Sequence, residues 1–142
     1  LHEADQRPQR QQRGDFVRGA AQGRRLWFDM ESTPYVGRTL ELYRTLRGDG
    51  LPVGVCLQAY LRRTADDVAS LLPLRPLIRF VKGAYSEPAD LLVGDRSAID
   101  RAYHELAMTM LASYEDPDAL ALGTHAGLAG PFLELGHGVG GA

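Results

Sequence analysis

The chain has 142 residues, 44% of them hydrophobic and 24% charged, which is the composition of one soluble globular domain and not of a disordered segment. A formal net charge of -2 and a pI of about 6.1 argue against nucleic-acid binding driven by global charge. The single cysteine, Cys56, excludes an intrachain disulfide and a thiolate metal cluster, both of which need more than one sulfur, and no metal site is expected.

Residues 1–24 are rich in Gln and Arg, with Pro8, Gly14, Gly19 and Gly23 among them, and offer almost no apolar face; they read as a polar leader or a frayed helix. The segment has no apolar h-region, and no run in the chain approaches the roughly 20 apolar residues of a membrane helix. Neither a signal peptide nor a span is expected, and a cytoplasmic location follows by default.

From residue 25 short apolar runs alternate with amphipathic segments. Residues 26–30 read as a strand, and Ser32-Thr33-Pro34 as a helix start with Thr33 as N-cap and Pro34 at the first helical position. Leu40, Tyr43 and Leu46 continue that helix until Gly48 and Gly50 stop it. Residues 52–58 form the next strand. Thr64 to Asp67 resembles a capping box with Asp in the Glu position, and Val68, Leu71 and Leu72 supply the apolar stripe before Pro73. Residues 77–83 read as a third strand, and Ile99, Ala102, Tyr103, Leu106 and Met110 mark a long helix. An acidic turn around Pro117 leads to a fourth strand over residues 119–124, and the glycine-rich residues 136–142 form a tail.

Strands alternating with helices, joined by connections too long for hairpins, predict parallel βαβ units and an α/β class. Both a doubly wound sheet and a (βα)8 barrel fit that alternation. The lack of a Gly-x-Gly-x-x-Gly after the first strand and of a Walker lysine lowers the nucleotide-binding doubly wound option.

Side chains alternate across a strand, so residue parity sorts the faces. Val53, Val55 and Leu57 suit packing against helices, while Gly54, Cys56 and Gln58 share the other face. Arg79, Val81, Gly83 and Tyr85 share one parity, and Phe80, Lys82 and Ala84 the other. Arg79 opens an otherwise apolar strand, so a buried guanidinium with an anionic partner is expected. If Arg79 shares a face with Asp29 and Gln58, successive strands bring a carboxylate, an amide and a guanidinium to the C-terminal ends, where α/β proteins build their sites. Thr124 and His125 close the fourth strand at the same level. Bland readings stand beside these: Asp29 as a strand-end turn residue, Gln58 as a hydrogen-bonded wall residue, His125 as a loop histidine, Cys56 as small core filling and His104 as a packed or exposed helix residue.

Four segments resemble proline dehydrogenases in order and spacing: Asp29-Met30-Glu31, Gln58-Ala59-Tyr60-Leu61-Arg62-Arg63, Arg79-Phe80-Val81-Lys82-Gly83-Ala84-Tyr85 and Thr124-His125. The resemblance covers about residues 25–125 and extends to the dehydrogenase domain of bifunctional proline utilisation proteins. It implies a (βα)8 TIM-like barrel over residues 25–135 that holds FAD at its strand ends. The implied reaction oxidises L-proline to pyrroline-5-carboxylate and passes electrons to a membrane quinone, which brings in peripheral contact at the inner face of the membrane. By the same resemblance Asp29 and Arg79 are catalytic, with Arg79 beside flavin N5 and Asp29 holding it. Gln58 meets the flavin pyrimidine ring, Val81 and Gly83 contact the cofactor through their backbone, Thr124 and His125 contact the flavin side, and Ala84 and Tyr85 wall the substrate pocket.

The early-strand lysine and the late-helix arginine pair with which that family grips the proline carboxylate have no counterpart in these residues. A complete barrel takes about 250 residues, so about half of one, a truncated or partial chain, is expected. Two other functions stay open: a non-catalytic remnant or interaction module of the same fold, and a Schiff-base aldolase using Lys82, whose parity points it toward the helices.

Overall fold

The computed structural model describes residues 11, 14, 15 and 17–123. Thr124, His125 and the tail over residues 136–142 lie outside the described residues. Within the segment read as a leader, residues 17–21 are helical.

The architecture is a four-stranded parallel sheet whose spatial order, β1-β2-β3-β4, follows the chain. The strands are β1 (Leu26–Phe28), β2 (Val53–Gln58), β3 (Leu77–Val81) and β4 (Leu120–Leu122). The helices are α1 (Thr33–Gly48), α2 (Thr64–Leu71) and α3 (Arg96–Ser113), each lying between two successive strands. All three ladders are parallel, and their register sets Trp27 beside Gly54, Cys56 beside Arg79, Gln58 beside Val81, and Arg79 beside Ala121. Because the strand order never reverses, crossovers of one hand place every helix on the same face.

That face is the core. Val53, Val55, Leu57, Ile78 and Phe80 are buried in one cluster with Val36, Leu40, Tyr43 and Leu46 of α1, Val68 and Leu71 of α2, and Tyr103, Ala107 and Met110 of α3. Two aromatic contacts fix the outer layers: Phe28 meets Tyr43 edge-on with centroids 6.4 Å apart, and Phe80 stacks on Tyr103 at 5.0 Å. Every residue of β2 is buried, as expected of a central parallel strand.

Several local expectations are corrected. Thr33 lies inside α1; the extended Ser32 is its N-cap and makes no side-chain cap bond. The capping box at Thr64 does not form. The N-cap position of α2 is held by Arg63 in a helical conformation, whose guanidinium grips Asp67 through two bonds of 2.7 and 3.0 Å, while the Thr64 hydroxyl donates to the Gln58 carbonyl. A reachable guanidinium outcompetes the backbone N–H for the Asp67 carboxylate, since the two charged groups bond bidentately. All four strands are shorter than expected, β2 by one residue. For β3 the physical reason is Gly83, whose φ of 121° leaves the strand region.

The expectation of a buried Arg79 is corrected: its side chain is 53% exposed. It stands on the face opposite the helices, where no helix of the described residues covers the sheet.

Candidate active site

The open face collects the polar residues that parity assigned to it. A cleft of about 660 Å³ at the C-terminal strand ends is lined by Asp29, Cys56, Gln58, Arg79, Val81, Gly83, Ala84 and Tyr85, with Lys82, Arg96, Ile99 and Asp100 on its α3 side. Seven residues singled out from the sequence thus border one space: Asp29, Gln58, Arg79, Val81, Gly83, Ala84 and Tyr85. Thr124 and His125 fall outside the described residues, although Gly123, just before them, lines the same cleft.

Asp29 Oδ1 accepts from Arg79 Nη1 at 3.2 Å. The carboxylate is 77% exposed, so the pair is an open one, worth little to stability on its own. Its position still follows from the fold: Asp29 leaves the end of β1 while Arg79 stands mid-strand on β3, and the guanidinium spans the intervening strand over Cys56, its register neighbour.

Gln58 ends β2 and is only 5% exposed. Its Nε2 donates to the Glu31 carbonyl at 3.2 Å, which fixes the plane of the amide and ties β2 to the connector after β1. The amide oxygen keeps its acceptor capacity for a ligand donor. Burial pushes the Cys56 thiol upward, opposed by a hydrogen bond from the Met30 backbone and by the Arg79 charge, so the thiol stays protonated and serves as small filling beneath the cleft.

Gly83 has its own structural reason to be glycine. A Cβ there would come within 2.3 Å of the Tyr60 ring, and the positive φ would strain any other residue. Burial raises the Tyr60 phenol, with a further upward push from the Glu87 charge. Tyr85 is exposed and its hydroxyl donates to Glu31 Oε2 at 3.3 Å; that carboxylate is the main reason its phenol is raised.

Lys82 follows its parity to the helix side. Its Nζ donates to Asp100 Oδ1 at 2.5 Å and sits 5.9 Å over the Tyr103 ring. An ammonium held by a carboxylate and an aromatic face is a poor nucleophile, which counts against the Schiff-base alternative.

Glu31, Glu87, Arg96 and Asp100 were not singled out from the sequence. The signal for Asp100 was available: Lys82 needed a helix-side acid, and Asp100 adjoins Ile99 and precedes Tyr103 by three positions, on the stripe that faces the sheet. Among the described residues, no group of three or more His, Cys, Asp or Glu is placed to hold a metal ion. No helix among them is long and apolar enough to cross a membrane.

A singly wound parallel sheet with a guanidinium, a carboxylate and an amide at its C-terminal ends defines an α/β protein with a strand-end cleft of the kind enzymes use. Comparison with characterised proteins narrows that class. No family model matches the chain. It is 47% identical over 85 residues to the proline dehydrogenase of Deinococcus radiodurans, a match covering 58% of this chain and 27% of that protein. It is 35% identical over 85 residues to proline dehydrogenase 1 of Bacillus subtilis, covering 60% of the chain and 28% of the relative, and 35% identical over 83 residues to proline dehydrogenase 2 of the same species. The resemblance read from the four segments is therefore to true homologues of that name, and the matches span little more than a quarter of the relatives' own lengths.

Proposed function

We propose that the open face is the cofactor side of a proline dehydrogenase site, in a partial (βα)8 barrel wall, and that the reaction it serves is FAD-dependent oxidation of L-proline to pyrroline-5-carboxylate. The observation that carries this reading is the Asp29–Arg79 pair standing in a strand-end cleft beside Gln58, on a chain homologous to enzymes named for that reaction.

The residues suit a flavin on chemical grounds. A flavin presents an electron-rich edge and a ring with both donors and acceptors, and the open face offers an exposed guanidinium and a fixed amide. FAD, when bound, would supply the hydride acceptor for proline C5. Arg79 would place positive charge where electron density accumulates, and Asp29 would hold that guanidinium in the orientation needed. Gln58 would bond the polar edge of the ring system, Val81 and Gly83 would meet it through their backbone, and Thr124 and His125 would contact the flavin. Ala84 and Tyr85 would wall the proline pocket. Electrons would leave for a membrane quinone, with the protein cytoplasmic and acting at the inner face of the membrane.

The test is direct. Purified chain incubated with FAD and then desalted should retain the yellow cofactor and reduce an artificial acceptor when proline is added. A folded preparation that loses the colour on desalting and is inert would favour the non-catalytic reading of this chain instead.

A further inference from the structure

We propose that Glu87 is a positioning residue for the Asp29–Arg79 pair, capping α1 from across the sheet and thereby fixing the connector that carries Asp29. The inference rests on the functional reading above for its significance, though not for its geometry.

The first amides of a helix lack intrahelical partners, and a nearby side-chain oxygen or negative charge normally answers them. α1 has no such provision of its own: Ser32 makes no side-chain bond and the first turn holds no acid. The partner comes from 54 residues away, where Glu87 Oε1 accepts from the Thr33 backbone N–H at 2.7 Å. A carboxylate at that distance from an orphan amide is a charge-assisted bond, stronger than a neutral one.

Glu87 can act as a reference point because its own loop is anchored independently of α1. The Arg62 amide donates to the Leu91 carbonyl at 3.0 Å and the Val93 amide to the Tyr60 carbonyl at 2.9 Å, so the loop between β3 and α3 is clamped to the loop after β2. The Glu87 charge also pushes the Tyr60 phenol upward. The connector over residues 29–32 is also held by the buried Met30, whose backbone bonds the Cys56 thiol, by Gln58 on the Glu31 carbonyl at 3.2 Å and by the exposed Tyr85 hydroxyl on the Glu31 carboxylate at 3.3 Å. The two side-chain bonds to Glu31 are longer than the Glu87 bond. Thr33 lies four positions after Asp29, too short a stretch for the helix start to move without carrying the carboxylate along.

The experiment uses nuclear magnetic resonance on the full chain, following the Thr33 amide, the Asp29 carboxyl carbon and the Arg79 Nε in wild type, Glu87→Ala, Glu87→Asp and Glu87→Gln. In Glu87→Ala the Thr33 amide should exchange roughly fivefold faster or more, the usual consequence of losing a cap, and the Asp29 and Arg79 signals should both shift. Glu87→Asp keeps the charge but lacks the reach, so it should reproduce those shifts even if Glu87→Ala fails to fold. Glu87→Gln keeps an acceptor but loses the charge, so it should fall between wild type and Glu87→Ala. A Thr33 amide that is indifferent to Glu87→Asp would overturn the contact. A Thr33 response with Asp29 and Arg79 unmoved would reduce Glu87 to a helix cap. These readouts need no flavin, so a chain that fails to bind FAD would sink the functional reading while leaving this one to stand or fall by its own signals.

Discussion

The two faces of the sheet obey different rules although they share every strand. On the helix side Val53, Val55, Ile78 and Phe80 are fully buried in one hydrophobic cluster. On the open side Arg79 and Asp29 are exposed, and the side-chain amide of the buried Gln58 bonds a backbone carbonyl. One residue step along β3, from Phe80 to Arg79, passes from a stacked core aromatic to a solvated cation. The lesson is that stability and chemistry are separated here by parity, so damage to one face should leave the other largely intact.

The largest expected effect lies on the helix face. Phe80→Ala removes a fully buried ring stacked on Tyr103 and should cost about 3–5 kcal/mol, read as a lowered denaturant midpoint. A loss below about 1 kcal/mol would mean that the packed face is not what holds the chain together. Arg79→Met probes the opposite face. It should lower proline-dependent flavin reduction by about a hundredfold or more, yet change stability by less than about 1 kcal/mol because the ion pair it breaks is exposed. Normal turnover, or a variant that unfolds, would collapse the division between faces.

The smallest effect tests the helix face through pH. The Tyr114 hydroxyl donates to the Pro76 carbonyl at 2.6 Å, and burial pushes its phenol well above the usual value. Its folded-state pKa is raised, so its contribution is complete below the unfolded value near ~10 and is lost as pH rises beyond it. Tyr114→Phe should therefore be about 1 kcal/mol less stable at neutral pH and should decline more gently than wild type in alkali. Parallel declines would show that the phenol is not coupled to folding.

Much of this division was legible from residue order alone. Alternation along β2 and β3 assigns the faces correctly, and the apolar spacing of Leu40, Tyr43 and Leu46 finds the buried side of α1. Parity also brings Asp29 and Arg79 together before any distance is measured. The local motifs that mislead share a physical cause: each has a distant competitor that the local sequence does not show. Thr33 looks like an N-cap because the carboxylate that serves α1 is Glu87, far along the chain. Asp67 looks like a capping-box acid because nothing in that pattern signals that Arg63 takes it instead. Arg79 looks buried because an apolar strand suggests two covered faces, whereas coverage depends on where the crossovers go. Whether Asp29, Gln58 and Arg79 serve a flavin is a matter of ligand chemistry, which lies beyond what strand parity encodes.

Trp27 lies across Gly54, close enough that a Cβ at that glycine would fall 2.5 Å from its ring. The two positions therefore share one allotment of space and have to evolve as a pair. A methyl group gained at 54 requires a smaller side chain at 27, and a chain that accepted the first change alone would have its only tryptophan lifted from the floor of the sheet. In any lineage that kept this wall, a bulky residue at one position should travel with a bare backbone at the other.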